Sequence, residues 1–127
     1  MADFSHLSRV LVLEDEALIA LDLEFTLRDA GIADIVTATA VDAAVAIIDV
    51  QRLDAAVLDL HLGQSGWSYE VARRLQAKGV PFIFSSGTVE IADGFAEIPL
   101  VRKPFSTAEL LAALDRVAAR GAVEATQ

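Results

Sequence analysis

Four apolar runs in this chain each break off in polar residues, and those residues together define one kind of chemistry. Val10-Leu11-Val12-Leu13 ends in Glu14-Asp15-Glu16, and Ala55-Ala56-Val57-Leu58 ends in Asp59. Phe82-Ile83-Phe84 ends in Ser85-Ser86-Gly87, and the run from Ile98 to Val101 ends in Arg102-Lys103-Pro104. Two unit charges ~4 Å apart repel by about 4 kcal/mol at an effective dielectric near 20, so carboxylates gathered in one crevice must protonate or hold a cation. Oxygen-only ligands at an open cleft suit a hard divalent ion that keeps several waters, Mg²⁺ first. Lys103 is one of two lysines in a chain with eight arginines, and its compact ammonium fits a phosphoryl group in a narrow crevice where an Arg fork would not. Acids, Mg²⁺, a hydroxyl and one lysine make a site for accepting a phosphoryl group. The metal would neutralise its oxygens, Lys103 would pair with another, and Asp59 would attack phosphorus in line.

To converge, these residues must sit at the carboxyl ends of strands in one parallel sheet. Strand-length apolar runs alternate with segments of helical period, the pattern of βαβ units covered on both faces. The strands are expected at Arg9 to Leu13, Asp34 to Ala38, Ala55 to Leu60, Pro81 to Ser85 and Ile98 to Val101. Pro99 cannot donate to a ladder, which places the fifth strand at an edge, as in the order 2-1-3-4-5. That order reverses between strands one and three, where ligands of open sheets bind and where Glu14, Asp15 and Asp59 fall. Helices are expected at Glu16 to Ala30, Val41 to Val50, Ser68 to Lys78 and Thr107 to Arg120, with a short fourth helix near Val89 to Asp93. Gly31, Gly79 and Gly121 stand where C-terminal caps are wanted, and Ser106 with Glu109 reads as a capping box.

Composition narrows the partners. The 127 residues, 54% of them hydrophobic, are expected to form a single domain (1–127) with its core at about 9–120, without repeat or linker. A formal charge of -9 repels nucleic-acid phosphates and anionic lipid, so neither is an expected partner. The absence of Cys excludes disulfides and thiolate sites. The start Met1-Ala2-Asp3-Phe4 lacks the basic and apolar regions of a signal peptide, and no apolar run approaches the ~18 residues of a membrane span, which points to the cytosol.

With its motifs Val10 to Glu16, Val57-Leu58-Asp59-Leu60, Phe84-Ser85-Ser86-Gly87 and Lys103-Pro104-Phe105 in this order and spacing, the chain resembles the receiver domain of bacterial two-component response regulators from Arg9 to Arg120. The resemblance implies an α/β, doubly wound, flavodoxin-like five-stranded sheet. It implies Asp59 as phosphoacceptor, Asp15 as a direct Mg²⁺ ligand, Glu14 as a ligand through water, and the His61 backbone carbonyl as another. Ser86 would hydrogen-bond the phosphoryl group and Lys103 would pair with it. The donor would be a phosphohistidine on a sensor histidine kinase or a histidine phosphotransfer protein. Such a protein catalyses its own phosphorylation and hydrolysis, yet its role is regulatory.

The chain departs from the family pattern at three places. Gly63 stands where many receivers have proline, Leu100 where many place an aromatic switch, and the stretch from Ser86 to Lys103 is several residues short. The run Pro81 to Gly87 is similar to a subset of stand-alone receivers with Phe-Ala-Thr-Gly there, several from stress signalling. Two other readings stay open: a degenerate receiver that binds partners without phosphorylation, and a small Mg²⁺-dependent phosphohydrolase. The intact residue set opposes the first. His61, standing where a second acid would be wanted, opposes the second.

Ordinary structural roles account for other residues: Asp54 reads as a turn residue, His61 as solvent-facing, and Trp67, at helical spacing with Val71 and Leu75, as packing. The first helix is less ordinary. At 100° per residue, Ile19, Leu23, Leu27 and Ala30 form one apolar stripe for the sheet, while Leu18, Leu21 and Phe25 form a second on nearly the opposite side. A partner is expected to cover that second stripe, the alternative being the segment around Phe4 and Leu7. In receivers this helix commonly docks on the phosphodonor's helical bundle.

Overall fold

In the computed structural model, which describes Phe4, residues 6–87 and residues 94–125 (the backbone alone from 119 onward), the apolar runs form five strands. They are β1 (Arg9–Leu13), β2 (Asp34–Ala38), β3 (Ala55–Asp59), β4 (Phe82–Ser86) and β5 (Leu100–Arg102). All pair in parallel, in the expected order β2-β1-β3-β4-β5. Among the described residues the helices are α1 (Ala17–Asp29), α2 (Val41–Val50), α3 (Tyr69–Ala77) and α4 (Thr107–Ala125), with one 3₁₀ turn at Gly63–Ser65. The short helix expected near Val89 to Asp93 lies outside the described residues. None of the described helices is long and apolar enough to cross a membrane.

Side chains alternate across a strand, and here both sheet faces are covered. Val10, Val12, Val57, Ile83 and Val101 face one layer with Leu23 and Leu27 of α1 and Leu110, Leu114 and Val117 of α4. Leu11, Leu13, Leu58, Phe82 and Phe84 face the other with Ala44 and Ile48 of α2 and Val71 and Leu75 of α3. The central strand β3 is buried along its whole length, which is why its sequence reads as an unbroken apolar run until Asp59.

Several local expectations shift. β5 begins after Pro99, whose carbonyl accepts the Phe84 N–H at 3.0 Å, so the proline lies just outside the edge strand. Gly31 and Gly79 take positive φ (110° and 71°) past their helices, as caps require. Gly121 does not cap: α4 runs through it to Ala125, since one helical glycine costs only about 1 kcal/mol and the flanking residues tolerate helix. Ser106 and Glu109 do form the capping box, Glu109 N–H donating to Ser106 Oγ (3.0 Å) and Ser106 N–H to Glu109 Oε1 (3.2 Å). Asp54 does more than turn the chain; its Oδ2 accepts the N–H groups of Ser8 (2.8 Å) and Arg9 (2.9 Å), tying the start of β1 to that of β3.

Phe4 is fully buried in the α1–α4 layer and its N–H donates to Ala30 at 3.0 Å, at the far end of α1. It leaves the second stripe of α1 open: Leu18, Leu21 and Phe25 are 83%, 49% and 64% exposed. Trp67 corrects its expected packing role. It precedes α3, is 51% exposed, and stacks on Tyr69 while meeting His61 edge-on.

Candidate functional site

Parallel pairing carries the ends of β1, β3, β4 and β5 to one edge of the sheet, and hydrogen bonds beyond the strands extend the alignment. Glu14 N–H donates to Ala38 at 3.0 Å, Leu60 N–H to Ser85 at 2.9 Å and Lys103 N–H to Ser86 at 2.8 Å. Asp59 is the register partner of Ser85. The backbone therefore sets Glu14, Asp59, Ser85, Ser86 and Lys103 side by side before any side chain makes a contact.

The side chains then close on one another. One ligand oxygen from each of Glu14, Asp15 and Asp59 lies within 4.8 Å of the others. Lys103 Nζ donates to Glu14 Oε1 at 2.8 Å and lies 3.4 Å from Asp59 Oδ2. The second Glu14 oxygen accepts the Glu16 N–H at 3.1 Å. Glu14, Asp59, Ser85 and Ser86 are buried, while Asp15 and Glu16 are exposed. Glu16 thus leaves the cluster and stands at the N-terminus of α1. His61 is exposed, as expected of its ring, and bridges to Trp67 across the loop after β3.

Burial pushes the Asp59 carboxyl up from 3.8 to about 7; the charge of Glu14 adds to this and Lys103 opposes it. Burial disfavours the Lys103 charge too, but the Glu14 hydrogen bond and the two negative charges outweigh it and hold Lys103 above its ordinary value. Three acids against one ammonium leave negative charge uncompensated at a rim where Asp15 meets solvent. A hard divalent cation fits that donor set, because it is all oxygen and reachable from water.

Gly63 belongs to this geometry. Its φ is +55°, and a Cβ built there would stand 3.2 Å from Asp15 Oδ2. The departure from proline thus gives the Asp15 carboxylate its room, with a backbone conformation that other residues adopt at a cost. Sequence reading flagged the residue without this reason. It also missed the Glu14–Lys103 pair and the burial of Ser85, since contacts between chain segments leave no local signal.

No family model matches the sequence and no curated protein matches it. Solved structures do. The chain is similar to SdrG from Sphingomonas melonis Fr1, at 33% identity and TM-score 0.78, covering 87% of this chain and 96% of that one. It is similar to a response regulator receiver protein from Sinorhizobium medicae WSM419, at 26% identity and TM-score 0.78, with 90% and 96% covered. The receiver domain of the PhyR response regulator from Erythrobacter litoralis matches at 26% identity and TM-score 0.76, with 87% and 88% covered. The fold matches these structures over most of the chain, and the chain belongs to the response regulator receiver domains, regulatory proteins of two-component signalling.

Proposed function

We propose that this chain takes a phosphoryl group from a phosphohistidine, on a sensor histidine kinase or a histidine phosphotransfer protein, onto Asp59. It then signals through protein contacts. The observation that carries the reading is Lys103 Nζ held between Glu14 (2.8 Å) and Asp59 (3.4 Å) at a buried strand end, with Asp15 beside them.

An Asp59 carboxylate oxygen forms a bond to phosphorus as the phosphorus–nitrogen bond of the donor breaks; the imidazole keeps the electron pair and takes a proton from solvent. The nucleophile must be ionised. Lys103 favours that form, opposing the burial and the Glu14 charge that disfavour it. The ammonium is also the cation within reach of the transferred oxygens, and the Ser86 hydroxyl at the neighbouring strand end is the candidate donor to another. Asp15, Glu14, Asp59 and the His61 carbonyl would hold Mg²⁺, which when bound neutralises charge developing on the phosphoryl oxygens. The exposed stripe Leu18, Leu21 and Phe25 supports donor docking on α1, because clustered large apolar groups in water mark a protein partner.

Incubation with acetyl phosphate and Mg²⁺, followed by intact-mass measurement, tests the reading. The wild type gains one phosphoryl group and Asp59→Asn gains none. No gain in the wild type would leave a receiver that binds partners without phosphorylation.

A further inference from the structure

Ser85 is 1% exposed, and its hydroxyl has no hydrogen-bond partner among the described residues. Such a group is costly, because the water it gave up is not replaced. Its surroundings suggest why it is kept. Ile83 faces the α1–α4 layer and Phe84 the opposite one, so alternation turns Ser85 toward the α1–α4 layer. The same rule turns Asp59, the register partner of Ser85, there after Val57, and Lys103 Nζ comes within 3.4 Å of Asp59 Oδ2. Strand β4 lies between β5 and β3. To reach Asp59 and Glu14, the Lys103 side chain must cross the end of β4 on the face that Ser85 occupies.

We propose that Ser85 is a positioning residue for Lys103, whose ammonium it accepts a hydrogen bond from as a phosphoryl group is transferred to Asp59. In the resting protein the ammonium has Glu14 and Asp59 for acceptors. During transfer the Asp59 carboxylate becomes an acyl phosphate and its charge moves outward onto the phosphoryl oxygens. Lys103 turns toward them, and the Ser85 oxygen beneath its path accepts a hydrogen bond from a second ammonium N–H and fixes the angle of approach. Ser85 thus acts through Lys103 and pays its unpaired resting state back in the loaded one. The inference rests on the acceptor reading above.

The test compares the full-length wild type, Ser85→Ala and Ser68→Ala. Ser68 is equally buried, but its hydroxyl has a partner in the Leu60 carbonyl at 3.3 Å. Metal-free thermal melts and rates of uptake from acetyl phosphate across a Mg²⁺ titration are measured. Ser85→Ala should melt about 3 °C higher, having lost an unpaired group, while Ser68→Ala melts lower. Ser85→Ala should also lower the maximal uptake rate about ten-fold and leave the half-saturating Mg²⁺ concentration unchanged. Uptake at the wild-type rate would overturn the inference, as would slow uptake joined to a lower melting temperature, the sign of a plain packing role. A wild type with no uptake that depends on Asp59 would remove the acceptor reading, and this inference with it.

Discussion

Lys103 Nζ lies 2.8 Å from Glu14 Oε1 although 89 positions separate the two residues in the chain. The lysine starts beyond the edge strand β5 and ends at β1, past β4 and β3, so the pair measures how tightly the strand ends are gathered. Its acid is 1% exposed and its lysine 20%, so neither charge has ready recourse to water.

Removing one partner of such a pair strands the other. Lys103→Met should destabilise the metal-free protein by about 3 kcal/mol at neutral pH, read from urea denaturation. It should also abolish most phosphoryl uptake. A loss below about 1 kcal/mol would mean that solvent, not Lys103, satisfies Glu14.

The Asp59 carboxyl sits at about 7 when folded against an ordinary 3.8, so the folded state holds this proton more tightly than the unfolded one. Its contribution to stability is greatest below pH 3.8 and is lost as pH rises to about 7. The melting advantage of Asp59→Asn over wild type should therefore grow across that window and then level off. Saturating Mg²⁺ favours the ionised form and should shrink the advantage. A constant difference would show Asp59 already ionised throughout.

On α1, Leu21→Glu and Phe25→Glu place charge on side chains that are 49% and 64% exposed. Transfer from the cognate phosphohistidine donor should slow about ten-fold or more, while uptake from acetyl phosphate stays near the wild-type rate. Equal loss with both donors would mean that the substitutions damage the fold.

Gly63→Ala puts a methyl group 3.2 Å from Asp15 Oδ2 on a backbone with φ +55°. We expect a stability cost of about 1 kcal/mol and a Mg²⁺ affinity several-fold weaker, followed through the fluorescence of Trp67, the single tryptophan of the chain. Unchanged affinity would show that Asp15 moves aside freely.

Much of this protein was legible before its fold was known. The apolar runs leading to Glu14, Asp59, Ser85 and Arg102 named the strands, because a strand buried on both faces is apolar along most of its length and carries its polar residues at the carboxyl end. Pro99 pointed to the edge, and Ser106 with Glu109 announced α4, since both signals act within a few residues. The end of α4 was misread at Gly121, where a local preference of about 1 kcal/mol yields to the rest of the helix.

The order of residues along the chain therefore specified the groups available for chemistry and the strand ends that carry them. How those groups meet came from packing: that Glu14 and not Glu16 turns inward, that Lys103 rests on Glu14, and that Trp67 is half exposed against Tyr69 and His61. Packing also decided that Gly63 clears space for Asp15 and that Ser85 is sealed without a partner among the described residues. Local patterns encode periodicity and capping, which depend on neighbours in the chain. Burial, ion pairing and the shifted proton of Asp59 depend on distances between segments that only the packed sheet brings together.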